Sequence, residues 1–284
     1  MVYWDGMLRV LVRPKEETMY ARVNGIEIAY RDRGRAHRTA LLLVHGFPLD
    51  SRLWDAQVAG LSSQVRVIAP DLRGWGKSAV PPGPYSMNQY ADDLVGLMDL
   101  LGIQRAVVGG LSMGGYISFA LWRLHPERVQ ALVLADTRAE PDSAQGRANR
   151  DVAAARVREI GPAAFAEEML PRLVAPANLG DARVRDRALR IMASQPAGGM
   201  VGALGAMRDR PDSRDLLGGI TVPATVIVGR EDILIPLAEA RAMAAAIPGA
   251  RLVEVAQAGH LSPLENPRTF NAALREFLGE VATA

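Results

Sequence analysis

Gly110-Leu111-Ser112-Met113-Gly114 fits the pattern G-x-S-x-G and lies between an apolar run, RAVVGG, and a run with helical spacing, YISFALWRL. A serine hydroxyl lifted on a sharp turn between a strand and a helix is arranged to attack a carbonyl carbon. Such a turn strains the serine backbone, and only small residues two before and two after leave room for it, which is the reading of Gly110 and Gly114. The helix starting beside the serine offers free N–H groups and a positive dipole end, suited to the negative charge of an acyl-transfer intermediate.

A serine hydroxyl needs an imidazole to take its proton, and the imidazole needs a carboxylate to fix its tautomer. The chain has four histidines. His37 lies in the polar turn RGRAHRTA, and His125 ends a helix in LHPERV. His45, after the apolar run ALLLV, reads as a buried brace for the loop HGFP. His260 follows the last apolar run by a few residues, on the edge of the sheet that would also carry Ser112, and is the expected base. Asp232, just after PATVIV, is the preferred orienting carboxylate. Glu231 is adjacent but would point differently, and Asp136, after the preceding strand, could reach the same histidine. The N–H groups of Phe47 and Met113 are the expected oxyanion hole; Pro48 has no N–H to offer.

These residues need a sheet to bring them together. Residues 19–34 alternate around Asn24-Gly25, a dipeptide that favours a tight hairpin, so two antiparallel strands open the fold. The apolar runs 40–44, 65–69, 106–109, 129–134, 223–228 and 251–255 read as parallel strands buried on both faces. Helical spacing over 87–101, 113–124, 236–246 and 267–278 gives the alternation of an α/β sheet. Residues 137–216 carry no strand pattern and are broken by prolines, which predicts an inserted cap of several short helices. The expected division is therefore a core of residues 1–136 and 217–284, with 1–18 as a possible loose extension, and a helical cap of 137–216. Phe165, Met169 and Leu170 are the expected substrate-facing residues of that cap, although methionines at helical spacing, Met192, Met200 and Met207 among them, are more often ordinary core packing.

HGFP at 45–48, DLRGWGKS at 71–78, GLSMGG at 110–115, GREDILIP at 229–236 and GHLSPLENP at 259–267 together resemble the α/β-hydrolase superfamily, in particular its small bacterial carboxylesterase and enol-lactone hydrolase branch. The resemblance runs from about residue 23 to 278, apart from most of the cap. It implies an α/β-hydrolase fold, with an eight-stranded, mostly parallel sheet, flanking helices and a helical cap, and it carries the roles of nucleophile, acid and base onto Ser112, Asp232 and His260. A serine at 112, where dehalogenating relatives hold an aspartate, argues against dehalogenation. The function implied is cleavage of a small ester or lactone. Carbon-carbon bond hydrolysis, cofactor-free perhydrolysis, or ligand binding with little turnover are the alternatives.

The composition agrees with this class and excludes others. The 284 residues are 49% hydrophobic and 23% charged, the balance of an ordinary globular chain. There is no cysteine, which removes disulfides, thiolate metal sites and a cysteine nucleophile. The net charge is +2 without a dense basic run, and Arg147, Arg150, Arg158, Arg183, Arg185, Arg187 and Arg190 are interleaved with acids, so they read as solvated helix faces and not as a nucleic-acid site. No secretory signal and no long apolar segment is evident, so the expectation is a cytoplasmic protein with no membrane partner. Gly76-Lys77-Ser78 lacks the remaining glycine of a phosphate loop, and Ser112 stands where a dinucleotide fingerprint needs glycine. Neither a cofactor nor a metal is implied.

Overall fold

The computed structural model describes residues 18–283. The loose extension expected at 1–18 lies, but for Thr18, outside the described residues. Strands β1 (Met19–Val23) and β2 (Ile26–Arg33) form an antiparallel hairpin whose turn residues Asn24 and Gly25 both take positive φ, 48° and 84°. That is the two-residue turn the Asn-Gly pair predicts. The chain then alternates through β3 (Ala40–Val44), α1 (Asp55–Leu61), β4 (Arg66–Pro70), α2 (Met87–Leu100), β5 (Ala106–Leu111), α3 (Met113–Leu124) and β6 (Val129–Ala135). Helices α4 (Ala144–Leu173), α5 (Pro176–Leu179), α6 (Ala182–Ala193), α7 (Ala197–Arg208) and α8 (Arg214–Leu217) intervene before β7 (Ala224–Gly229). The sheet resumes there and ends with α9 (Leu237–Ala246), β8 (Arg251–Val255), α10 (Ser262–Glu265) and α11 (Pro267–Thr283).

The eight strands lie in the order β1-β2-β4-β3-β5-β6-β7-β8. β2 runs antiparallel to β1 and β4, and every pairing from β4 through β8 is parallel. Side chains alternate between two apolar clusters, as the strand period requires. Leu42, Val44, Val108, Leu134 and Val228 meet Tyr90 and Leu94 of α2 and Ile117 and Leu121 of α3 in one cluster. Leu41, Leu43, Val107, Val133 and Ile227 join Val58 of α1 and Phe270, Leu274 and Phe277 of α11 in the other. Both faces are therefore covered, which explains why the strands read as unbroken apolar runs.

The regular elements of the inserted segment are all helices, as expected. α4 spans 30 residues and is two helices that meet at a kink, where Gly161 leaves helical geometry at φ 77° and ψ 166°. Pro162 follows that break and so starts a new turn, where its missing N–H costs nothing. The insertion is also fastened to the core. Gln195, between α6 and α7, accepts from the Gly76 N–H at 3.0 Å and donates to Asp50 at 2.8 Å. α7 sits so close to the loop after β4 that a Cβ on Gly199 would collide with the Gly74 carbonyl. Several of the insertion's arginines pair with acids: Arg150 with Asp142, Arg183 with Asp181, and Arg185 with Asp186. No helix among the described residues is long and apolar enough to cross a membrane.

Candidate active site

Parallel strands end on the same edge of a sheet, so the loops after β3, β5, β7 and β8 necessarily face one another there. Those loops carry Phe47, Ser112, Asp232 and His260 respectively. Ser112 caps β5 at φ 54° and ψ −113°, a left-handed conformation unusual for a residue with a Cβ. The turn is held on both sides: the Ser112 N–H donates to the Ala135 carbonyl at 2.9 Å, and its carbonyl accepts from Thr137 Oγ1 at 2.8 Å. The two flanking glycines are steric necessities. A Cβ on Gly110 would strike the backbone of Gly114, and one on Gly114 would strike the Val44 carbonyl.

His260 and Asp232 meet across the ends of β8 and β7. The imidazole Nδ1 lies 2.7 Å from Asp232 Oδ2, and both residues are buried, 2% and 6% exposed. The other carboxylate oxygen, Oδ1, accepts the N–H groups of Leu234 at 2.8 Å and Ile235 at 3.0 Å. Every lone pair facing the protein is therefore directed. Nδ1 donates to the carboxylate, which leaves Nε2 free to accept a proton. Of the rival carboxylates, Asp136 faces elsewhere: its Oδ1 accepts the Gly229 N–H at 2.7 Å and its Oδ2 accepts the Ser262 hydroxyl. Burial, and then the charge of Asp232, push the Asp136 carboxyl well above the usual carboxylate range. Glu231 is exposed at the loop surface.

The loop after β3 approaches the serine closely, since a Cβ on Gly46 would touch the Leu111 carbonyl. His45 braces it. Its Nδ1 donates to the Gly46 carbonyl at 3.0 Å and its Nε2 accepts the Leu72 N–H at 3.1 Å, so the tautomer is set by the backbone. Full burial lowers its pKa and keeps the ring neutral. The Phe47 N–H takes no acceptor among the described residues. Met113 opens α3, so its N–H has no helical carbonyl four residues back. These two donors are the pair the sequence singles out.

The insertion reaches this edge through α4. The Phe165 ring stands edge-on to Phe47, with centroids 6.3 Å apart, and Phe47 in turn stands edge-on to Trp75 at 5.6 Å. Met169 is half-buried and packs against both apolar clusters. Leu170 is only 4% exposed and belongs to the cluster that also holds Val184, Ile191 and Met192 of α6. Met192, Met200 and Met207 are likewise fully buried.

One functional contact was not evident from the pattern of residues. Glu265, half-buried in α10, accepts from the N–H groups of Gly259 (2.9 Å), Leu261 (3.1 Å) and Ala175 (2.8 Å) and from the Asn178 amide (2.8 Å). Burial raises its pKa, and those four donors oppose the rise. The His260 N–H donates to the Leu173 carbonyl at 2.9 Å. The histidine loop is thus tied to the end of α4. Glu265 stands inside the motif GHLSPLENP with Gly259 and Leu261, but nothing local in the sequence shows that another partner, Ala175, lies 90 residues away.

Comparison with known proteins bears on this arrangement directly. A family model described as alpha/beta hydrolase fold matches residues 39–168. The 3-oxoadipate enol-lactonase 2 of Acinetobacter baylyi is 31% identical over 88% of this chain and 92% of its own length. The chain belongs to the α/β-hydrolase family. Among solved structures, this hydrolase is similar to a thermophilic esterase from Thermogutta terrifontis, at 42% identity and a TM-score of 0.89, covering 93% of this chain and 99% of that one. It is also similar to the enol-lactonase from Burkholderia xenovorans LB400, at 35% identity and a TM-score of 0.85, covering 92% and 100%.

Proposed function

We propose that this hydrolase cleaves small carboxylic esters or lactones through an acyl-enzyme on Ser112. The observation that carries the reading is the buried 2.7 Å His260–Asp232 pair on the same sheet edge as a serine held at positive φ. Ser112 Oγ attacks the carbonyl carbon while His260 Nε2 takes the hydroxyl proton, and Asp232 stabilises the imidazolium that forms. The N–H groups of Phe47 and Met113 hold the tetrahedral oxyanion. Collapse breaks the bond to the alkoxy oxygen, which receives the proton from His260. Water, deprotonated by the same imidazole, then attacks the acyl-serine, and the acid leaves. With a lactone the alcohol and the acid remain one molecule. Similarity to proteins named as an esterase and as enol-lactonases supports this choice of substrate class.

In this reading residues 137–216 act as a cap over a core formed by 1–136 and 217–284. Phe165 and Met169 border the acyl side, and Leu170 supports them from within the cap. The reading is tested with p-nitrophenyl esters from acetate to palmitate, beside Ser112→Ala. A short- or medium-chain preference that vanishes in Ser112→Ala is the expected result. Turnover that survives in Ser112→Ala, or a parent enzyme inert towards all these esters and towards enol-lactones, overturns it.

A further inference from the structure

The end of β6 is where the three loops of the proposed site are joined. Ala135, its last residue, receives the Ser112 N–H at 2.9 Å on its carbonyl. Thr137 donates its hydroxyl to the Ser112 carbonyl at 2.8 Å, and its side chain fills the space a Cβ on Gly115 would need. Between them stands Asp136, 1% exposed, at φ 43°. Its N–H donates to the Ile227 carbonyl of β7 at 2.8 Å. Its Oδ1 accepts the N–H of Gly229, whose own carbonyl receives the Asp232 N–H at 3.1 Å. Its Oδ2 accepts the hydroxyl of Ser262, which is fully buried and two residues beyond His260. One side chain thus grips the acid loop with one oxygen and the base loop with the other.

A non-glycine residue at positive φ and a carboxyl buried beside a second carboxylate are both costly. We propose that Asp136 is a positioning residue for the hydrolysis, holding the Asp232 loop and the His260 loop in register so that the imidazole stays aligned on its carboxylate. This rests on the triad reading above. The charged groups that face Asp136 are Asp232 and Glu265. Both are acidic, and burial first and then the charge of Asp232 push the Asp136 carboxyl well above the usual carboxylate range. Its function is then in its hydrogen bonds and not in its charge.

That distinction sets the test. Asp136→Ala, Asp136→Asn, Ser262→Ala and Ser112→Ala are compared on p-nitrophenyl acetate, with kcat, KM and the pH dependence of kcat/KM measured for each. Small displacements of reacting groups cost on the order of 100-fold in rate. Asp136→Ala is therefore expected to lower kcat by roughly 10- to 100-fold with KM little changed. Its lower pH limb moves to lower pH, because an imidazolium that has lost alignment with Asp232 is less stabilised. Asp136→Asn keeps an oxygen for the Gly229 N–H and a polar group for Ser262, so kcat and the limb stay close to the parent. Ser262→Ala, which removes only the grip on the base loop, loses rate with a limb shift in the same direction as Asp136→Ala. A folded Asp136→Ala with parental kcat and limb overturns the proposal. If Asp136→Ala does not fold, parental kcat and limb in Ser262→Ala overturn it instead. An Asp136→Asn as impaired as the alanine variant also overturns it, since charge would then be what matters. Ser112→Ala separates the two readings: if it is inactive while the other variants match the parent, only the Asp136 proposal fails, and if it remains active, the triad reading fails first.

Discussion

Asp232 presents one oxygen to His260 Nδ1 at 2.7 Å while its other oxygen holds the N–H groups of Leu234 and Ile235. This pairing leaves no tolerated orientation for an amide. In Asp232→Asn the NH2 group faces either Nδ1, forcing the proton onto Nε2, or two backbone donors. On the proposed mechanism the first arrangement removes the base, and the second breaks the loop. Asp232→Asn is expected to reduce kcat by about 10³- to 10⁴-fold with the fold retained. Steady-state kinetics on p-nitrophenyl acetate, with circular dichroism as the control, measures this; a loss of less than tenfold argues that another group orients His260.

The elements that carry this pair were legible for a simple reason. A strand buried on both faces appears as a short apolar run, so β3 matches the range read from its apolar residues, as does the half-buried edge strand β8. The prolines of the insertion were legible as breaks in most places: the helix breaks at Gly161 beside Pro162, α5 starts at Pro176 and Pro196 precedes α7, whereas Pro171 lies inside α4. Ser112, Asp232 and His260 could be found because each follows a strand, and strand ends converge. Glu265 and Asp136 could not be read in the same way, because much of what they bind is backbone N–H, which every residue type but proline supplies, and each has partners in segments far off in the sequence. The cap residues divide along the same line. Phe165 meets Phe47, whereas Leu170 is buried in the other apolar cluster, and a helical period distinguishes faces but does not say which neighbour covers them.

His45 makes a prediction about pH. Its ring is neutral in the fold because Nε2 must accept the Leu72 N–H, and burial lowers its pKa from the ordinary 6.5. Below pH 6.5 the unfolded chain therefore binds a proton that folded His45 refuses. The folded state has the lower pKa, so the stabilisation is complete above 6.5 and is lost as pH falls towards the folded value. The loss approaches about 1.4 kcal/mol per pH unit for a single group. In His45→Gln, whose amide can still donate and accept but cannot titrate, that part of the slope disappears. Urea unfolding between about pH 5 and pH 7 reads the two slopes. Parallel slopes in parent and variant would show that folded His45 accepts the proton.

The tie between the histidine loop and the insertion makes the last prediction. Glu265 receives four donors, two from the His260 loop and two from the segment after α4. Glutamine has one acceptor oxygen, so in Glu265→Gln either the Gly259 and Leu261 N–H groups or the Ala175 and Asn178 donors face an NH2 group. Buried donors left without an acceptor cost about 1–3 kcal/mol. If the amide keeps its oxygen on the His260 loop, only the insertion is released, and KM changes more than kcat because the cap borders the substrate. If it keeps its oxygen on the insertion, the loop is released, and kcat falls while KM holds. Unfolding free energy and the two kinetic constants together decide between these outcomes, and an unchanged stability with unchanged kinetics would mean that water satisfies the four donors without Glu265.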